Sequence, residues 1–95
     1  MAKYRKKPVV IEAFLYDANN IFDHDFNPTW IVDAFDREVM YFESGGDGQF
    51  ELKIKTLEGI MTAVMPSYII RGVKGELYAC RADVFEETYE EVEEE

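Results

Sequence analysis

Residues 56–85, TLEGIMTAVMPSYIIRGVKGELYACRADVF, decide how this chain folds. They hold three short apolar runs, at 60–65, 68–71 and 76–80, separated by turn formers. In Glu58-Gly59 and Lys74-Gly75 the glycine supplies the backbone freedom a tight hairpin needs. Pro66-Ser67 breaks the chain between the first run and the second, because proline brings no ladder donor. Runs of this length, rich in Ile, Val and Tyr, predict strands. The stretch reads as a β-meander, and Asp83 caps a helical turn at its end.

Working outward, residues 50–57 alternate plainly. Phe50, Leu52, Ile54 and Thr56 face one side, while Glu51, Lys53 and Lys55 face the other, so one face is buried and one is wet. Ser44-Gly-Gly-Asp-Gly48 is the hairpin loop that joins this strand to one at 39–43. Residues 28–36 predict a short helix, with Asn27 as N-cap and Pro28 in the first turn. Trp30, Ile31, Ala34 and Phe35 recur at helical spacing and form its buried stripe. Residues 17–27 read as a loop. Residues 7–16 read as a strand with two apolar faces, which places it centrally with cover on both sides. A last short strand is expected at 89–92. The whole predicts an α+β fold: a strongly bent, barrel-like antiparallel sheet of six or seven strands, one short helix and a C-terminal helical turn.

Ninety-five residues make one domain, spanning 1–95, with a basic arm at 1–7 and a frayed acidic tail at 93–95. A chain this short buries roughly 60–65% of its unfolded surface, and 47% hydrophobic residues suffice for that core. No signal peptide and no membrane span are read from the sequence. The single cysteine, Cys80, excludes an internal disulfide and fits a reducing compartment. The net charge is −10 and unevenly spread. Residues 1–7 carry four positive charges and residues 86–95 seven negative ones; the middle has six basic and thirteen acidic residues. That balance repels long nucleic acid.

The segments KYRKKPVVIEAF at 3–14, TLEG at 56–59 and YIIRGVKGE at 68–76 form a pattern with Tyr78, Cys80, Asp83, Phe85 and Thr88-Tyr89-Glu90. This pattern resembles a family of small proteins encoded by tailed bacteriophages and prophages. The likeness covers about two thirds of the chain; residues 17–50 match little. Two departures are visible. The family commonly has Pro-Gly-Asp before the tyrosine matching Tyr68, where this chain has Met65-Pro66-Ser67. It commonly has prolines where Ala79 and Ala82 stand here. The resemblance implies a phage accessory protein acting in the bacterial host cytoplasm, and it implies no reaction.

The chemistry-bearing residues favour binding over catalysis. Cys80 and His24 are the only thiol and imidazole, and no spacing links them as nucleophile and base. Asp23-His24-Asp25 has metal-ligand residue types but lacks a third or fourth ligand at a recognisable spacing, so a solvated loop is the simpler reading. Gly45-Gly-Asp-Gly48 is followed by a strand, whereas phosphate loops open into a helix. No catalytic residue, metal or cofactor is read. The set that stands out is Arg71, Lys74 and Arg81 with Tyr68, Tyr78 and Trp30. Guanidiniums fork onto phosphates and aromatic rings stack on bases. If 68–71 pairs with 76–80, the basic groups and tyrosines are expected to gather at one end of a hairpin. The bland alternative pairs Arg71 and Arg81 with Glu58, Glu76 or the glutamate tail and puts the tyrosines in the core.

The leading expectation is a phage-encoded, homo-oligomeric, non-enzymatic binding protein that sequesters a small anionic, nucleotide-like signal as counter-defence. A second expectation is an acidic inhibitor or DNA mimic that blocks a host protein. A third is a small hydrolase or phosphodiesterase.

Overall fold

The alternation at 50–57 and the turns at Gly59 and Gly75 produce the strands they predict. The computed structural model describes residues 2–4, 9–17 and 27–92. The order is β1 (Glu12–Tyr16), α1 (Thr29–Asp36), β2 (Met40–Ser44), β3 (Phe50–Thr56), β4 (Gly59–Ala63), β5 (Ser67–Arg71), β6 (Leu77–Arg81) and α2 (Ala82–Thr88). The class is α+β, as expected. The single barrel-like sheet is not what forms. The described strands make two three-stranded antiparallel sheets, β1-β5-β6 and β2-β3-β4, and these do not close into a barrel. The break at Pro66-Ser67 is where the chain leaves one sheet for the other.

Each sheet buries one face against the other. Phe14 and Tyr16 of β1, Ile69 of β5 and Leu77 of β6 meet Met40, Leu52, Ile54 and Ala63 of the second sheet. Ile31 and Ala34 of α1 complete this core, and Trp30 and Phe35 pack at its margin. Phe35 stacks on Phe42 of β2 with ring centroids 5.8 Å apart. α1 starts one residue later than expected, with Pro28 at its N-cap and no side-chain cap bond. α2 is two turns long and lies on the back of the first sheet, against β5 and β6.

β1 corrects the expectation of a central, doubly covered strand. It is an edge, and β5 is the central strand of its sheet. The ladder with β5 starts at the Glu12–Arg71 pair, so Val9 and Val10 run past the end of their neighbour and stay exposed. Nor is there a strand at 89–92. Tyr89 is extended but packs its ring on Phe85, 4.7 Å between centroids, and pairs with no strand. The expected basic arm at 1–7, the loop at 17–27 with Asp23-His24-Asp25, and the tail at 93–95 fall wholly or largely outside the described residues.

The β5–β6 hairpin turns through Gly72 to Gly75. The Gly72 N–H donates to the Glu76 carbonyl at 2.8 Å and the Gly75 N–H to the Gly72 carbonyl at 3.0 Å. Gly75 has φ +82°, a left-handed conformation that a side chain makes costly. Gly75→Ala is expected to destabilise the fold by about 1–2 kcal/mol, read as a lower midpoint in urea unfolding.

Candidate functional site

Strand alternation and strand length together decide where the six singled-out residues go. Ser67, Ile69 and Arg71 point to the core side of β5, but Arg71 stands at the strand end, beyond the core. Its side chain emerges exposed where the β5–β6 hairpin, the end of β3 and α1 meet. An open groove of about 420 Å³ lies there. Trp30, Arg37, Lys55, Leu57, Arg71 and Lys74 line it, together with the carboxylates of Asp33 and Glu76.

The groove's carboxylates are already committed. Asp33 accepts from Arg37 at 3.1 Å across one helical turn. The Glu76 side chain folds over the hairpin and accepts from the Lys74 backbone N–H at 3.0 Å. Beside the groove, Glu12 pairs with Arg71 at 3.3 Å. That pair is half exposed, and such pairs are worth only about 0–1 kcal/mol. Lys74 and Lys55 have no carboxylate within ion-pair distance among the described residues. The Lys55 ammonium lies 5.9 Å from the centre of the Tyr41 ring. The result is an open site with four cationic heads, two of them without a carboxylate partner among the described residues, and one large aromatic ring.

Arg81, Tyr68 and Tyr78 do not reach this groove. The predicted pairing of β5 with β6 holds, but it separates these groups rather than gathering them. Arg81 sits opposite Ser67 at the far end of the ladder, whereas Arg71 sits opposite Leu77. Four strand steps, roughly 13 Å, lie between. Arg81 pairs there with Asp83 at 3.2 Å. Among the described residues neither arginine takes a partner that the sequence suggested: Arg71 uses Glu12 and Arg81 uses Asp83. Tyr68 and Tyr78 point to the back of the sheet, under α2. Tyr68 stacks on Phe85 with centroids 4.0 Å apart, and Cys80 lies half-buried directly opposite Tyr68.

Burial first, and then a hydrogen bond with Tyr89, push the Tyr78 phenol up to about 12 from an ordinary value near 10. A raised pKa means the fold holds the proton more tightly than the unfolded chain. Stability from this group is therefore complete below pH 10 and is lost as the pH rises towards 12. A thermal melt series is expected to show that decline in the wild type and less of it in Tyr78→Phe.

Arg37 and Lys55 were not singled out by sequence reasoning. One follows a helix and the other belongs to the wet face of β3, and no local spacing links them to Arg71. Only their convergence in space marks them. Among the described residues no group of three or more His, Cys, Asp or Glu side chains is arranged to hold a metal ion. No described helix is long and apolar enough to cross a membrane. Compared with known proteins, the chain matches no family model, no curated protein and no solved structure.

Proposed function

We propose that this chain is a phage-encoded, non-enzymatic binding protein that sequesters a small anionic ligand of the nucleotide type. One observation carries the reading. Of the six basic residues between the two charged ends, four line a single groove with the only tryptophan, in a chain of net charge −10. An acidic protein that gathers its scarce cations in one concavity has a local field that favours a compact anion and a bulk field that rejects long nucleic acid. Arg71 and Lys74 hold phosphate oxygens, Arg37 and Lys55 add charge at the rim, and the Trp30 ring offers a stacking surface for a base. The groove's volume suits a ligand of that size. Sequestration of a nucleotide signal in the host cytoplasm accords with the phage-family resemblance.

The direct test is to recover the protein from infected cells and identify co-purifying small molecules by mass spectrometry. Calorimetric titration with adenosine diphosphate and with a cyclic dinucleotide follows. Saturable binding with one site per groove supports the reading. Capture of a host protein with no small molecule would favour the second reading, an acidic inhibitor. That reading has its own observation: Asp83, Glu86, Glu87, Glu90 and Glu91 are all exposed along and just after α2. Salt separates the two. Binding through that acidic surface weakens steeply with ionic strength, while a groove that desolvates its ligand is less sensitive.

A further inference from the structure

Among the described strands, β4 is the one edge strand that holds no charged residue. The two sheets have four edges, on β1, β6, β2 and β4. An edge offers unpaired backbone N–H and C=O groups to any strand that approaches. On β6, Ala79 is turned outward, and its N–H donates to Met61 Sδ at 3.3 Å. On β1, Leu15 is already engaged and Glu12 adds a charge. On β2, Phe42 is held by Phe35 and Glu43 adds a charge.

β4 carries no charge of its own, and its one such contact among those named is Met61 Sδ on the Ala79 N–H. The two-residue turn Leu57-Glu58 makes Thr56 and Gly59 a hydrogen-bonded pair, so Met61 and Ala63 also bond to β3. The N–H and C=O groups of Ile60 and Thr62 therefore point away from the sheet, and no backbone partner reaches them among the described residues. Residues 59–65, GIMTAVM, hold no charge, in a chain whose residues are 32% charged. Ile60, Met61, Val64 and Met65 are all exposed there, Ile60 at 63%.

We propose that β4 pairs with β4 of a second copy of this chain, about a two-fold axis at Met61. The two β2-β3-β4 sheets then join into one antiparallel sheet of six strands. The register follows from the outward groups. Ile60 stands opposite Thr62 of the partner subunit, and each of these pairs exchanges two hydrogen bonds. Met61 meets Met61 of the partner subunit, and Gly59 meets Ala63 of the partner subunit. The occupant is a second copy because of charge. Two chains of net charge −10 repel over most of their surfaces, and this ladder sets only neutral residues against each other. The Lys53 ammonium donates to Thr62 Oγ1 at 2.6 Å, and its charge is balanced by Glu51 at 3.4 Å. A ladder this short buries less than the roughly 1,200–2,000 Å² of a stable complex, so the dimer is reversible and concentration-dependent. It stands apart from the ligand reading, because β4 contributes nothing to the groove.

Two measurements on the ligand-free protein test it. Sedimentation equilibrium from micromolar to millimolar is expected to show a rise from the 11.1 kDa monomer towards twice that mass. Amide hydrogen exchange by NMR is expected to show Ile60 and Thr62 becoming protected, at least about tenfold, over the same range. Ile60→Lys places a charge in the ladder on an exposed side chain. Thr62→Pro removes a donor that β3 does not use. Both variants are expected to stay monomeric with unchanged far-UV circular dichroism. A wild type that remains monomeric at millimolar concentration overturns the proposal. So does a dimer that forms while the Ile60 and Thr62 amides stay unprotected, whatever the variants do.

Discussion

Replacing Arg71 by alanine is expected to weaken nucleotide binding by roughly ten- to a hundredfold, the largest effect of any single groove change. A charge-assisted hydrogen bond to phosphate contributes about 1.5–3 kcal/mol, and each 1.4 kcal/mol is a factor of ten in affinity. Arg71 is the only guanidinium that the hairpin itself delivers into the groove; Arg37 is held by Asp33. Arg71→Lys keeps the charge but loses the planar fork, so it should recover only part of the loss. The reverse effect is expected from Glu12→Gln. Glu12 is the protein's own competitor for Arg71, at 3.3 Å. Removing its charge should tighten binding by up to about fivefold, the worth of an exposed ion pair. Arg81→Ala serves as the control, because Arg81 lies at the far end of the ladder and should leave affinity unchanged. Calorimetric titration of all four variants with one cyclic dinucleotide checks this ordering.

The largest effect on stability is expected at Ile69. It sits fully buried on the central strand of the first sheet, opposite Phe14 on one side and Ala79 on the other. Both sheets contribute neighbours to its site, so little can collapse into the space it leaves. Ile69→Ala should cost about 2–5 kcal/mol. A domain of this size has only about 5–14 kcal/mol in total, so the melting temperature should fall by on the order of 10–30 °C. Ile60→Ala is the contrast. Its side chain is exposed at the open edge, and the change should cost well under 1 kcal/mol in the monomer. Thermal melts at low protein concentration compare the two.

The strands were legible where chemistry repeats locally. The period-two pattern of Phe50 to Thr56, the glycine of Glu58-Gly59 and the Lys74-Gly75 turn each dictate a local conformation that the fold keeps. The partition into two sheets was not legible. β4 and β5 are consecutive and joined by a short break, and nothing near Pro66 says that they do not pair. β1 misled for a related reason. Val9 and Val10 look like the buried second face of a central strand, yet they overrun β5 and meet solvent. Of the residues singled out from the sequence, Arg71, Lys74 and Trp30 line the groove: the first two lie at a hairpin turn, and Trp30 was named as a stacking surface. Tyr68 and Tyr78 were drawn into the same set by sequence proximity. Alternation sends them to the opposite face of the sheet, where Phe85 and Tyr89 cover them. Arg37 and Lys55 join only through tertiary packing, which no spacing rule reaches.

The chain's single tryptophan offers the most direct test of the groove. Trp30 lines it and is the only indole in the molecule, so its fluorescence reports on that site alone. Titration with a cyclic dinucleotide and with adenosine diphosphate is expected to give a saturable change in Trp30 emission for at least one of them, with the curve shifted at least tenfold by Arg71→Ala. Flat emission for both up to millimolar concentration, or a change that Arg71→Ala and Lys74→Ala leave untouched, would contradict a phosphate-binding groove.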